Sequence, residues 1–135
     1  RSEKSFVDVV REVTDGEGCA VVYEAIGKDT MQQSLDSLRP MGVCAAYGHV
    51  SGPPDPIDII QDLGRRGSLF ITRPAIMHYV AKRSDLEWTA RDLFKAIGEG
   101  VLQANINYEY ALKDAVKAHG AIESGKTLGA TVLVP

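Results

Sequence analysis

The sequence predicts an α/β fold in which crossover helices connect the strands of a parallel sheet. Three short runs of consecutive apolar, partly β-branched residues are typical of strands that are buried on both faces. Segments with apolar residues at helical spacing precede and separate the first runs, and this alternation favours parallel strands. Of the 135 residues, 44% are hydrophobic and 24% are charged, which suits one globular domain with a core.

The first helix is predicted over residues 6–14, where apolar residues recur at i, i+3, i+4 and i+7. Gly16 and Gly18 end it, and the apolar run 19–23 predicts the first strand. A turn over residues 27–30 places Thr30 at the N-cap of a second helix. We expect that helix to include Leu38 and to end at Pro40.

Two more buried strands are predicted over residues 43–47 and 68–72, and Pro74 closes the second of them. The intervening residues 48–56 are rich in Gly and Pro and predict a loop. A short helix is expected over residues 57–63.

The alternation becomes irregular from about Tyr79, which indicates a second packing unit. Ser84 and Glu87 have the spacing of a capping box, and a long amphipathic helix follows them. A short strand or loop at residues 107–110, a helix and a final strand at residues 131–134 complete the pattern.

Composition makes two classes of function improbable. The net charge is -3 and no basic stripe is visible, which disfavours a nucleic-acid partner. No apolar run approaches the roughly 18–20 residues that a membrane-spanning helix needs. Cys19 and Cys44 lie in apolar runs and are expected to be buried free thiols, which fits a reducing cytoplasm.

The N-terminus does not have the pattern of a signal peptide, because no apolar region follows residues 1–5. There is also no initiator Met. The chain could therefore be a processed product or a piece cut from a longer protein.

Known cofactor and metal motifs are absent from the sequence. The pairs Gly16/Gly18 and Gly98/Gly100 follow helices rather than strands and lack the third glycine of a dinucleotide-binding turn. The chain has no phosphate-binding P-loop, no His-Glu-x-x-His and no paired-Cys zinc motif. Its three histidines are dispersed, so we expect no zinc site.

Two segments lie where ligands bind in open α/β sheets, at the carboxyl ends of predicted strands. One is Tyr47-Gly48-His49, where Gly48 would let a ligand approach the backbone closely. The other is Thr72-Arg73-Pro74, where Arg73 could pair with a phosphate. A plain exit from a strand and an ordinary solvated arginine remain open alternatives. No residue is predicted to be catalytic.

Six segments, in order along nearly the whole chain, together form a specific pattern: residues 21–27, 34–42, 47–48, 67–74, 112–115 and 118–119. In these segments the chain resembles the quinone oxidoreductases related to zeta-crystallin, a zinc-independent branch of the medium-chain dehydrogenase/reductase superfamily. Three positions depart from the usual pattern, namely His49, Ala111 and Ala130.

The resemblance implies a two-domain parent enzyme that transfers hydride from NADPH to a quinone. Residues 1–84 would be the C-terminal part of its Rossmann domain, and residues 85–135 would return to the catalytic domain. The Gly-rich turn would lie in the missing part, so we expect the chain alone to be inactive. The resemblance carries cofactor contacts onto seven residues: Thr30, Tyr47, Gly48, His49, Ile71, Thr72 and Arg73.

Two alternatives stay open beside the quinone reductase. One is an enoyl- or alkenal-reducing enzyme of the same superfamily, and the other is a non-catalytic dimerisation or nucleotide-binding module. A homodimer is expected through the strand at residues 68–72, because an apolar strand at a sheet edge can pair with a second copy. The resemblance supports this expectation, since related quinone reductases dimerise through this region.

Overall fold

A computed structural model describes residues 5–135, which form two compact units. The first unit extends to Tyr79, and the second comprises Val80–Pro135. The expected absence of a signal peptide concerns residues 1–5, and of these only Ser5 is among the described residues.

The first unit is built on a parallel three-stranded sheet in the order β1-β2-β3. The predicted α/β class and the parallel pairing of the three strands are confirmed. In chain order its elements are α1 (Phe6–Val13), β1 (Cys19–Glu24), α2 (Met31–Asp36), β2 (Leu38–Ala46), a π-helix (Ile59–Gly64), β3 (Phe70–Thr72) and α3 (Ile76–Tyr79).

The core of this unit lies on one face of the sheet. α2 and the π-helix region contribute apolar side chains to that face, and β2 runs through its centre. The fully or nearly buried members are Met31, Leu35, Leu38, Cys44, Ala46 and Leu69. Val22, Ile57, Leu63 and Ile71 pack against them.

The second strand begins earlier than the sequence predicts. The expectation that a helix includes Leu38 and ends at Pro40 is wrong, because α2 ends at Asp36 and Leu38 already pairs with Cys19. Leu38 is 2% exposed, so burial in the core favours its place in the strand. The ladder then bulges at Met41, which has a φ of 59°, and resumes where Val21 pairs with Val43.

The sheet is less completely covered than the apolar runs predict. Side chains alternate between the two faces of a strand, and Tyr23 and Phe70 on the less covered face are 75% and 59% exposed. Cys19 is only half-buried, so the expectation of two buried thiols holds for Cys44 alone.

The second unit contains a two-stranded parallel sheet in which β4 pairs with β5. Its elements are α4 (Arg83–Gly98), β4 (Ile106–Ala111), a 3₁₀-helix (Leu112–Asp114), α5 (Ala115–Glu123) and β5 (Ala130–Val134). Ala118 of α5 is the one hydrophobic residue of this unit that is buried within the described chain. Large side chains of α4, such as Trp88 and Phe94, remain exposed.

The predicted capping box at the start of α4 is wrong. The helix begins at Arg83 with Lys82 at the N-cap, so Ser84 lies inside the first turn. Glu87 instead accepts a hydrogen bond of 2.7 Å from Arg83 Nε, because the two are four residues apart on one helix face. Within residues 5–135, no helix is both long enough and apolar enough to cross a membrane.

Candidate functional site

A cleft opens at the carboxyl ends of β2 and β3 in the first unit. It consists of two adjoining spaces of about 180 Å³ and 330 Å³, which share Met31, Ala46, Pro54 and Arg73 as lining residues. The smaller space adds Gly48, His49 and Pro53, and the larger adds Ile57, Ile71 and Thr72.

The cleft combines mainly apolar walls with one permanent positive charge. None of the lining residues named above is a carboxylate or a thiol. The cleft can therefore hold a ligand that has an apolar part and a negatively charged group.

Arg73 supplies that positive charge at the end of β3. Its Nη1 donates to the carbonyl oxygens of Tyr47 and Pro74 at 2.8 and 3.0 Å, which ties the β3 exit to the β2 exit. Among the described residues no carboxylate forms an ion pair with Arg73, and its side chain is exposed. The guanidinium can therefore bind a phosphate or a carboxylate in the cleft.

Gly48 allows two loops to pack against each other beside the cleft. A methyl group on Gly48 would lie 2.5 Å from the carbonyl oxygen of Ala25, a clash with backbone rather than with a flexible side chain. The glycine is thus required for the contact between the ends of β1 and β2. Its expected role in the approach of a ligand stays a prediction.

A second glycine, Gly27, has a φ of 93° and packs against the backbone of Gly52 and His49. Five hydrogen bonds add to this contact between the β1–α2 loop and the loop after β2. They run from Lys28 N to Gly52 O, from Asp29 N to Ser51 Oγ, from Val50 N to Ala25 O, and from Ser51 N and Oγ to Ile26 O. The position of His49 at the cleft therefore depends on the conformation of residues 25–30.

Glu24 organises the β1–α2 loop, and the sequence reasoning did not identify it. Its side chain is at the end of β1, is 3% exposed, and accepts hydrogen bonds from Ile26 N at 2.6 Å and Gly27 N at 2.9 Å. The hydroxyl groups of Thr30 and Ser34 donate to the same carboxylate, Thr30 at 3.0 Å to either oxygen. A charged residue that ends an apolar strand, with hydroxyl residues six and ten positions later, was the available signal.

The pKa of Glu24 lies below its ordinary value although the side chain is buried. Burial alone raises the pKa, but the hydrogen bonds from Ser34, Gly27, Ile26 and Thr30 stabilise the carboxylate and outweigh that effect. Glu24 is therefore a carboxylate at neutral pH.

A comparison with known protein families identifies the family of the chain. The model of a family described as zinc-binding dehydrogenase matches residues 2–133 of the chain. The chain belongs to the zinc-binding dehydrogenase family.

Two curated relatives and one solved structure are among the proteins that the chain resembles. It is 51% identical over 99% of its length to a 2-haloacrylate reductase from Burkholderia sp. and 39% identical over 98% of its length to a quinone oxidoreductase from Salmonella typhimurium LT2. It spans 40% and 41% of these two relatives. A structure of Escherichia coli quinone oxidoreductase complexed with NADPH superimposes with a TM-score of 0.90 at 35% identity, covering 98% of this chain and 41% of the other. The expected resemblance to quinone oxidoreductases is confirmed.

The family's description names zinc, but the described part of this chain has no set of side chains that could bind it. Within residues 5–135, no group of three or more His, Cys, Asp or Glu side chains could hold a metal ion. Four ligands are usual at a structural zinc site, and three protein ligands at a catalytic one. The independence from zinc that the sequence suggested stays a prediction for the whole enzyme.

Most of the residues expected to contact the cofactor come together in this dehydrogenase-family fold. Gly48, His49, Ile71, Thr72 and Arg73 all line the cleft. The two other expected residues lie beside it.

Tyr47 accepts the hydrogen bond from Arg73 through its backbone and has a half-exposed side chain. Thr30 occupies the N-cap position of α2 but makes no side-chain cap hydrogen bond, and its hydroxyl donates to Glu24. The assignment of all seven residues to cofactor binding stays a prediction. The sequence reasoning missed Met31 and Pro54, which line both parts of the cleft.

Cys44 does not act as a nucleophile in this fold. Its side chain is fully buried, and burial followed by the nearby negative charge of Glu24 raises the pKa of its thiol to about 11. The thiolate is the reactive form of cysteine, so this thiol is inert at neutral pH.

Proposed function

We propose that the chain supplies part of the NADPH site of a reductase that transfers hydride from NADPH to a quinone. The observation that carries the proposal is the cleft at the strand ends, where apolar walls face the Arg73 guanidinium, with which no carboxylate of residues 5–135 forms an ion pair. Cofactors of α/β sheets bind at this position, and a relative with the same fold is a quinone oxidoreductase complexed with NADPH.

The lining residues fit parts of a nicotinamide dinucleotide. When bound, NADPH supplies the hydride, and the protein orients it. Met31, Ile57 and Ile71 give the larger space apolar walls, and Arg73 balances negative charge on a phosphate. His49, at the exposed rim, provides a hydrogen bond to a polar group of the cofactor.

Replacement of Arg73 by methionine in the parent enzyme that contains this chain tests this assignment. Arg73→Met keeps the apolar length of the side chain but removes the charge, and we expect the Kd for NADPH to rise about tenfold. Arg65→Met removes an exposed arginine that does not line the cleft, and it should leave the Kd unchanged. A fluorescence titration in which the two variants bind NADPH equally well would refute the proposed site.

A second acceptor is favoured by the 51% identity to a 2-haloacrylate reductase. In this version of the proposal the hydride goes to the carbon–carbon double bond of a conjugated acid instead of a quinone. Measurement of kcat/KM for a quinone and for a 2-haloacrylate with the same preparation separates the two. A ratio that favours the haloacrylate by about tenfold or more would overturn the quinone assignment.

The chain by itself is proposed to be inactive. The pyrophosphate of a dinucleotide normally rests on a Gly-rich turn at a helix N-terminus, and residues 1–135 contain no such motif. Residues 1–135 should therefore oxidise NADPH in the presence of a quinone no faster than buffer. Steady oxidation above that background would contradict the proposal.

The remaining assignments extend the same proposal. The chain would be the C-terminal part of a parent enzyme that works without zinc in the cytoplasm. Residues 1–84 would belong to its Rossmann domain and residues 85–135 to its catalytic domain, and the separation of two compact units supports such a division. A homodimer through the strand at residues 68–72 is supported by the position of β3 at the edge of the sheet.

A further inference from the structure

We propose that Glu24 is a positioning residue that holds three walls of the cleft in place. It lies behind the cleft and does not line it. Its action is through the residues that it binds, and its consequence for NADPH rests on the function proposed above.

The first wall is the loop after β2, which Glu24 holds from both its backbone and its side chain. The carbonyl oxygen of Glu24 accepts hydrogen bonds from Tyr47 N at 2.9 Å and Gly48 N at 3.3 Å. The carboxylate holds Gly27, which packs against His49. One residue thus fixes the backbone on either side of the strand exit.

The second wall is Met31 at the start of α2. Thr30 immediately precedes it, and Ser34 lies one helical turn after Thr30. Both hydroxyls donate to the Glu24 carboxylate, so α2 is anchored at its first turn. Met31 lines both spaces of the cleft, and its position follows from this anchor.

The third wall is reached through Tyr47. Its backbone nitrogen donates to the backbone carbonyl oxygen of Glu24, and its own carbonyl oxygen accepts from Arg73 Nη1 at 2.8 Å. A path of hydrogen bonds therefore joins the backbone of Glu24, through the backbone of Tyr47, to the guanidinium at the mouth of the cleft.

The site specifically requires a carboxylate. Four groups surround it as donors, namely two backbone N–H groups and two hydroxyls. Glutamine has the same shape but replaces one acceptor oxygen by an N–H donor, so the hydroxyls have to rotate and some of the bonds are lost. Aspartate keeps the charge on a shorter side chain, which makes it the conservative replacement.

The test compares Glu24→Gln, Glu24→Asp and Thr14→Val in the parent enzyme that contains this chain. Thr14 accepts a hydrogen bond from Gly18 N at 2.9 Å at the opposite end of β1, so its loss lowers stability without touching the cleft. We expect Glu24→Gln to raise the Kd and KM for NADPH about fivefold while kcat at saturation stays within about twofold. Glu24→Asp should restore part of the affinity, and Thr14→Val should bind as wild type despite a lower Tm.

Hydrogen exchange of the amides of residues 47–52 provides a readout that does not depend on the cofactor. These amides should exchange faster in Glu24→Gln than in the wild type, and at the wild-type rate in Thr14→Val. If the wild type fails to bind NADPH, the proposed function is wrong, but the exchange rates still decide the role of Glu24. Unchanged exchange in Glu24→Gln, or a loss of Tm with wild-type affinity, would overturn the positioning role.

Discussion

Individual residues at the strand ends determine the shape of the cleft. Glu24 gathers two backbone amides and two hydroxyls around a buried carboxylate, and Gly48 lets the neighbouring loop approach to backbone contact. The first effect requires a carboxylate at position 24. The second requires a residue without a side chain at position 48.

The contribution of Glu24 to stability should depend on pH. Its folded-state pKa is lowered, so its contribution is fully present above the ordinary value of about 4.5 and is lost as the pH falls through the folded pKa. We expect the free energy of unfolding of Glu24→Gln to be about 1.5 kcal/mol below that of the wild type at pH 7. This difference should shrink as the pH is lowered below about 4.5.

Urea unfolding at a series of pH values measures this difference. Glu17→Gln is the matched control, because the side chain of Glu17 is 68% exposed and makes only a long contact with Arg39. The control should unfold as wild type within about 0.5 kcal/mol at each pH. A constant difference between wild type and Glu24→Gln down to the lowest pH would contradict the prediction.

Substitution of Gly48 by alanine should destabilise the first unit. The added methyl group would meet Ala25 backbone at 2.5–3.0 Å, and relief of the clash requires the strand ends to separate, at a cost of about 2 kcal/mol. Gly64→Ala is the control, since its methyl group would make an ordinary contact of 3.5 Å with Ile59 O. Thermal unfolding measures the Tm of the two variants. An equal loss of Tm in both would show that Ala25 does not constrain Gly48.

At the scale of elements, β3 is the strand that bears on self-association. It is three residues long, lies at one edge of the sheet and pairs with β2 through Phe70, Ile71 and Thr72. Phe70 is exposed, whereas the preceding Leu69 is buried in the core. An apolar edge of this kind can extend the sheet into a second copy, with Phe70 as a contact between the copies.

We therefore expect Phe70→Lys to weaken self-association. A lysine on an edge strand introduces a like charge opposite its symmetry mate and disfavours pairing. Sedimentation velocity over a range of concentrations should show a dimer for the wild type and a monomer for the variant. Met41→Lys places the same charge on an exposed side chain of β2 and should still dimerise.

A wild-type protein that remains monomeric at high concentration would remove β3 as the interface. A Phe70→Lys variant that dimerises as well as the wild type would do the same.

At the scale of the whole molecule, the two units differ in how much apolar surface they bury. The first unit has a contiguous core of six buried residues, whereas Ala118 alone is a buried hydrophobic residue in the described second unit. A two-stranded sheet with little core is marginally stable in water. We therefore expect the second unit to be less stable than the first within this chain.

Amide exchange of the isolated chain should show this difference directly. We expect the amides of β4 and β5 to exchange at least about tenfold faster than those of β1 and β2, because opening of the second unit exposes little additional apolar surface. The β1–β2 amides are the internal reference under identical conditions. Equal protection in the two sheets would show that the second unit is stabilised by interactions other than core burial.

The sequence predicts those parts of the fold that depend on local pattern. Most residues of the apolar runs at 19–23, 43–47 and 68–72 lie in neighbouring parallel strands, because helices separate the first two runs and a long connection precedes the third. The exits at Gly48 and Arg73 were predicted to be ligand positions for the same reason, since parallel strands end at one edge. Local pattern alone did not locate the start of α4. The capping box predicted at Ser84 does not form, because the helix begins one residue earlier, at Arg83.

Only the tertiary structure revealed the features that depend on contacts between distant residues. Leu38 lies in a strand and not in a helix because the core buries it opposite Cys19. Glu24 looks like an ordinary charged residue in the sequence, and it becomes a buried anchor only when Thr30, Ser34 and the following loop fold around it. Hydrophobic periodicity is a property of each segment, so the sequence determined the sheet and the edge where the cleft lies. The pairing of a buried charge is a property of the assembled fold, so only the structure decided how the walls of that cleft are held.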